Sequence, residues 1–404
     1  MKVVHITTWL HGGAGIAALR LHLELLNQGI ESHIISLANT TIPQVNNHHP
    51  VLEHQTSLYE KIFNKFGIRL NSAYRNTHRL KQLNGEYEIV TFPDTDYRIE
   101  NIDIVKSADV IHLHWIANFI NYKTFFSKLK NKKIVWTLHD LNPMQGIFHY
   151  KNDEFNNPSF GGLNKHAYNQ KMKAIQKVRN LTYVCLNNWM LDQLNTGTKA
   201  SFHKADVIPN IINEKDFFAD AKSMEKSGSL LNFLLIACDV NNYRKGFDLA
   251  LEALSRLKNK DKVTIFIVGK GETTIPKGIK TNMIGALYDI KELRSIYNEC
   301  EYLIIPSRED NLPNTMAEAL LCGTAVISFK IGGMANHIVN GANGFLIDPY
   351  NVEKMAKQID HIIENRIILS RNQISKKAHQ IFSQTNIHKY TTLYKDLMNE
   401  KLAL

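Results

Sequence analysis

The chain has 404 residues, of which 44% are hydrophobic and 21% charged, with a net charge of +10, the balance of an ordinary folded protein. Its length exceeds what one hydrophobic core usually serves, so two domains of roughly 150–200 residues are expected, and no apolar run reaches the roughly 18–20 residues of a membrane-spanning helix. Residues 1–205 carry +8 of the net charge, and a basic half suits phosphate-rich partners: nucleic acid, anionic headgroups or a diphosphate-linked substrate.

The start, "MKVVHITTWLHGG", does not read as a secretory signal, because its short apolar stretch runs into a glycine loop; a cytoplasmic protein is expected. The stretch predicts strand, glycine loop, the helix "IAALRLHLELLNQG" and the strand "SHIISL", one βαβ unit. Strands follow at "DVIHLHW", "KIVWTLH" and "LTYVCLN". After Lys204, a Pro-Asn turn and a polar stretch without periodicity predict a linker over 206–228. From Leu231 the pattern restarts with strand "NFLLIAC", loop "DVNNYRKG", helix "FDLALEALSRL" and strand "VTIFIVG". Further strands lie at "NMIG", "YLIIP", "TAVISF" and "GFLI", and the tail predicts a helix that packs across the domains or ends the second one. Two such sets of alternating strands and helices predict two doubly wound parallel-sheet domains, with ligand at the carboxyl ends of the strands. Cys185, Cys238, Cys300 and Cys322 are far apart and read as reduced thiols rather than a zinc or disulfide framework.

Several short stretches carry polar groups to strand ends. The "HGGAG" loop lets backbone approach an anion at a helix N-terminus. It lacks G-x-G-x-x-G spacing and no acid closes the second strand, which disfavours a nicotinamide dinucleotide; a tight turn without ligand stays open. His112 and His114 share one face of a strand; a zinc site with Asp140 is conceivable, but the better reading has His139, at the end of the next strand, hydrogen-bonding a polar substrate. Arg244 and Lys245 are either a solvated pair or a phosphate clamp. In "SREDNLPNTMAEALLCGTAVISF", Pro313 suits the first turn of a helix over Pro313–Leu321 that Gly323 stops. Glu318 lies inside that helix, and helix geometry does not choose between Glu309 and Asp310 as its partner acid.

The spacing from Asp310 to Glu318 in "DNLPNTMAE", followed by "EALLCGTAVI", resembles the acid, seven-residue, acid signature of glycosyltransferase family 4, retaining nucleotide-sugar transferases of the GT-B fold. Ala325 stands where proline is usual. "KIGGM", "NGANGFLI", "VIHLHW" and "TLHDLNPMQGIFHY" look like members that build bacterial surface polysaccharides, so the resemblance spans nearly the whole chain. It implies an α/β GT-B protein: an acceptor-side Rossmann-like domain over 1–205, a linker over 206–228, a donor domain over 229–385 and a terminal helix over 386–404.

By the same resemblance Asp310 binds hydroxyls of the donor sugar and Glu318 the ribose. Lys245 neutralises the diphosphate, His139 contacts the transferred sugar, and Gly12 and Gly13 approach the phosphates. Asn311, Leu312 and Asn314 join the donor site, His139, Lys245 and Asp310 form its catalytic set, and no metal is required. The arginine that the family often places before the lysine is absent, leaving Arg244 as the candidate second phosphate contact, and no cysteine cluster follows "TLHD".

The implied activity moves a hexose-type sugar from a nucleoside-diphosphate sugar to a hydroxyl of a saccharide or lipid-linked saccharide, in surface polysaccharide or lipopolysaccharide synthesis. The alternative is a nucleotide-sugar-processing GT-B enzyme such as an epimerase. Nucleic acid is not an expected partner, since no recognisable binding module occurs. Residues 58–81 interleave six basic residues with Phe63, Phe66, Ile68 and Tyr74, and read either as a peripheral contact with an anionic membrane at the inner face of the cell membrane or as a basic solvent face over the core.

Overall fold

The computed structural model describes residues 1–38, 45–52, 58–66, 71–81, 85–196, 203–220 and 230–400. The chain divides into two units, Met1–Ile208 with the segment from Ile387 onward, and Pro209–Asn386.

In the first unit the strands are β1 (Lys2–Ile6), β2 (Glu31–Leu37), β3 (His48–Val51), β4 (Val110–Leu113), β5 (Lys133–Leu138), β6 (Asn180–Cys185) and β7 (Lys204–Val207). Among the described residues they form a seven-stranded sheet in the order β3-β2-β1-β4-β5-β6-β7, every pairing parallel. The central strands are mostly apolar without alternation, His5 and His112 excepted, because helices cover both faces of a parallel sheet. Val3, Val4, Ile111, Ile134 and Trp136 are all buried, and Trp136 packs against Phe126 and Tyr183.

In the second unit β8 (Leu231–Asp239), β9 (Val263–Lys270), β10 (Lys280–Gly285), β11 (Tyr302–Ile305), β12 (Ala325–Phe329) and β13 (Gly344–Ile347) form, among the described residues, a six-stranded sheet in the order β10-β9-β8-β11-β12-β13, again parallel throughout. Both units are Rossmann-like doubly wound α/β sheets, as the alternation of elements predicts. The strand order reverses between β1 and β4 in one and between β8 and β11 in the other. At such a switch point the two following loops diverge and leave room for a ligand.

Two local features differ from the sequence reading, and a third sharpens it. The edge strand β3 covers "HHPV", a polar, proline-containing stretch tolerated at a sheet edge. Asp206 and Val207, read as linker, lie in β7. The terminal helix Ile387–Asn399 belongs to the first unit, where the Tyr394 hydroxyl meets His112 Nδ1 at 2.7 Å and Lys133 Nζ donates to the Met398 carbonyl at 2.9 Å.

Candidate active site

The loops after β8 and β11 are sewn together at the second unit's switch point. The Asn242 side chain accepts from the Lys245 amide and ends the first loop in one 3-10 turn. Gly246 follows at φ +66°, where a Cβ would sit 2.1 Å from the Pro306 carbonyl oxygen; glycine is required there by both conformation and space. The Arg308 amide donates to the Arg244 carbonyl at 2.7 Å. Its guanidinium donates to the Tyr243 carbonyl at 2.7 Å, grips Asp248 through both carboxylate oxygens and lies 3.9 Å over the Tyr243 ring. Sixty residues of sequence separate Arg308 from Asp248, so no local pattern announces this brace.

Within the braced loops, Lys245 Nζ donates to Asp310 Oδ2 at 2.6 Å, and Arg244 Nη1 lies 3.4 Å from the same oxygen. Arg244 Nη1 also donates to the Glu309 carbonyl at 3.1 Å. The three side chains are 27%, 12% and 14% exposed for Lys245, Asp310 and Arg244. Burial alone would raise the Asp310 carboxyl, but the Lys245 and Arg244 charges and the Lys245 hydrogen bond outweigh it and hold it below the usual range. Asp310 is therefore an anion at neutral pH.

The turn after Asp310 is held from the far side by the glycine pair of "KIGGM". Gly332 has φ +51°, a Cβ there would meet the Asp310 carbonyl oxygen at 1.7 Å, and the Gly333 amide donates to the Asn311 carbonyl at 2.8 Å. Asn311 and Leu312 are buried. The helix begins at Asn314, one residue later than expected, because Pro313 has ψ 127° and serves as its cap. Asn314 Oδ1 accepts from Asn210 at 3.0 Å. Glu318, 5% exposed, accepts from the Tyr297 hydroxyl at 3.1 Å, a partner the sequence did not signal. Gly323 stops the helix at φ +76°.

In the first unit the helix Gly12–Asn27 starts at Gly12, whose φ is +71° and where, among the described residues, no atom beyond its chain neighbours and its own helix backbone would lie within 4 Å of a Cβ. Gly13 is the next residue of the same turn. The packing demand falls on Gly15, where a Cβ would stand 2.4 Å from the Trp9 carbonyl oxygen.

His139, just past the end of β5, has its Nε2 3.2 Å from His114 Nδ1. Burial pushes the His139 imidazole down to about 4, against a smaller upward pull from Asp140. Asp140 accepts from His149 at 2.6 Å, from the Trp115 indole at 2.8 Å and from the Asn142 amide at 2.9 Å. Burial works against the Asp140 anion, but His149 and these donors hold its carboxyl below the usual range. Lys171, buried and pushed down to about 7 by that burial, donates to both oxygens of Asn142. The acid weighed as a zinc ligand thus organises the loop that follows β5.

Residues 232–365 match the family model for glycosyl transferases group 1. The second unit is a group 1 glycosyltransferase domain. The chain is 22% identical to the putative colanic acid biosynthesis glycosyl transferase WcaC of Escherichia coli K12, covering 96% of this chain and 97% of that one. It is 19% identical to N-acetyl-alpha-D-glucosaminyl L-malate synthase of Bacillus anthracis over 96% and 95% of the two. Similarity to the uncharacterized glycosyltransferase MJ1178 of Methanocaldococcus jannaschii, at 23% identity, spans 45% of this chain and about half (49%) of that protein. Among solved structures, Anabaena HepE in complex with UDP and glucose superposes with a TM-score of 0.61 at 14% identity, covering 98% of this chain and 99% of that one. WaaG, a glycosyltransferase involved in lipopolysaccharide biosynthesis, gives 0.62 at 14% identity over 97% and 99%. The fold is that of GT-B glycosyltransferases.

Proposed function

We propose that the chain is a retaining glycosyltransferase that moves a hexose-type sugar from a nucleoside-diphosphate sugar to a hydroxyl of a saccharide or lipid-linked saccharide, in the synthesis of surface polysaccharide or lipopolysaccharide. The observation that carries this reading is the Lys245–Asp310 pair with Arg244 beside it, at the carboxyl ends of β8 and β11. Two cations stand where a leaving diphosphate develops negative charge, and a carboxylate fixed between them can accept hydrogen bonds from sugar hydroxyls. Glu318, on the helix that follows, takes the ribose; Asn311, Leu312 and Asn314 shape the turn between the two acids.

In the first unit, His139 contacts the transferred sugar, and the turn at Gly12 and Gly13, where the helix Gly12–Asn27 begins, takes the phosphates. With charge neutralised by side chains and backbone, the reaction needs no metal ion. UDP in the HepE structure and the putative part of WcaC in colanic acid biosynthesis support the choice of donor and product class. Tyr59, Ile62, Phe63 and Phe66 on and just after the helix Leu58–Lys65 are exposed, which supports a peripheral membrane contact near a lipid-linked acceptor. Vesicle sedimentation with and without anionic lipid checks that contact.

Incubation with a panel of nucleotide sugars and saccharide acceptors, with and without EDTA, tests the reading. Acceptor-dependent release of nucleoside diphosphate that survives EDTA is expected. Interconversion of the donor sugar without acceptor would favour an epimerase instead.

A further inference from the structure

Behind His139 runs a line of imidazoles that the assignments above leave unused. His5 on β1 and His112 on β4 are fully buried, and His114, just past β4, is nearly so. The nitrogens of these three lie within 4.8 Å of one another, a spacing a metal ion could bridge. Hydrogen bonding accounts for most of them. His112 Nδ1 meets the Tyr394 hydroxyl at 2.7 Å and its Nε2 the Thr137 hydroxyl at 2.8 Å. His5 Nδ1 lies 3.0 Å from His114 Nε2, and His114 Nδ1 lies 3.2 Å from His139 Nε2. His5 Nε2 is buried and has no hydrogen-bond partner among the described residues.

In a chain of neutral imidazoles each link needs one N–H and one lone pair, so all the links point the same way. Neutrality is secured by burial first and by the neighbouring rings second, which together push His5 and His114 well below the ordinary imidazole range. Two directions are then available. If protons sat on the Nε2 atoms, the orphaned His5 Nε2 would be a buried N–H without an acceptor. If they sit on the Nδ1 atoms, it is only an unused lone pair, the milder of the two defects.

The geometry points to a positioning role for His114: its Nδ1–H donates to His139 Nε2, which fixes His139 in the Nδ1–H tautomer, so that His139 meets its ligand as a neutral ring of defined tautomer. His5 completes the line by donating from Nδ1 to His114 Nε2. What His139 meets rests on the transferase reading; its tautomer does not.

The test is the side-chain nitrogen spectrum of the full chain labelled with 15N-histidine, without substrate, each ring assigned by single substitution. His5, His114 and His139 should each carry the proton on Nδ1. In His114→Leu the His139 ring loses its fixed donor and should show both tautomers, with kcat down about tenfold and the donor KM little changed. His114→Asn, whose amide nitrogen occupies the place of Nδ1, should restore the single tautomer and most of kcat. A wild-type His139 protonated on Nε2 overturns the inference, and so does zinc titrating into the cluster with loss of these N–H signals. If His114→Leu fails to fold, the wild-type spectrum and His114→Asn still decide. Absence of any transferase activity would refute the proposed function while leaving the tautomer assignment readable.

Discussion

Replacing Lys245 with methionine separates the charge of that side chain from its packing. In the resting protein its ammonium lies 2.6 Å from Asp310, whose side chain is 12% exposed. Removing one partner of a fully buried pair costs about 3–5 kcal/mol. Here Arg244 remains 3.4 Å from the same oxygen and Lys245 is partly solvated, so the loss of stability should be smaller, about 1–2 kcal/mol. The larger effect falls on the donor. A charge-assisted contact to a diphosphate is worth about 1.5–3 kcal/mol, which corresponds to nucleoside diphosphate binding about 10- to 150-fold weaker. Glu309→Ala is the matched control, because Glu309 reaches Arg244 through its backbone carbonyl, which the substitution keeps; a change of less than about threefold is expected. Isothermal titration with nucleoside diphosphates measures both variants. Lys245→Met binding within twofold of wild type, or Glu309→Ala proving the crippling change, would refute the assignment of Lys245 and Asp310 as the working pair.

Further outcomes follow from the same geometry. Glu318→Ala, which leaves the Tyr297 hydroxyl without this acceptor and removes the proposed ribose contact, should raise the donor KM at least tenfold in steady-state kinetics, with little change in the far-ultraviolet spectrum. Gly332→Ala forces a Cβ to within 1.7 Å of the Asp310 carbonyl oxygen; it should shift the turn and lower both Tm and kcat. Gly12→Ala meets no such clash, and its cost in stability should be that of a positive φ alone, about 1 kcal/mol by denaturant titration. Asp140→Ala strips the acceptor from His149, Trp115 and Asn142 and should cost about 3–5 kcal/mol. Stability should also fall in acid. His22, His139 and His337 are pushed down to about 4 and His112 to about 3, burial being the first cause in each. In the unfolded chain these groups titrate near 6.5, so between there and about 4 the unfolded state binds the extra protons. Their contribution is whole above pH 6.5 and is lost on acidification at about 1.4 kcal/mol per pH unit per group, which denaturant titrations at stepped pH would read.

Much of the architecture was legible because it rests on short-range rules. Unbroken apolar runs such as "FLLIA" and "YLIIP", separated by helical periodicity, specify parallel strands buried on both faces. The edges were not: β3 is polar and β7 follows a strand-poor stretch, since an edge strand needs little apolar surface and leaves a weak pattern. The terminal helix was legible as a helix, but the unit it joins depends on contacts such as Tyr394 with His112, 282 residues apart.

At the site, spacing and resemblance singled out Lys245 and Asp310, and the structure brings them together. The Arg308–Asp248 brace, the Gly332–Asp310 approach and the Tyr297–Glu318 bond went unseen because each joins residues far apart in sequence or read only as part of a motif. His112 and His114 are legible as a same-face pair; His5, on the neighbouring strand, is not, because only the parallel register aligns β1 with β4.

The most direct test of the account is release of nucleoside diphosphate from a panel of nucleotide sugars, each with saccharide acceptors, by the wild-type chain and Lys245→Met. Acceptor-dependent release with at least one donor, unaffected by EDTA and reduced at least tenfold in the variant, is the predicted result. No release from any donor, or equal release by both proteins, would contradict it.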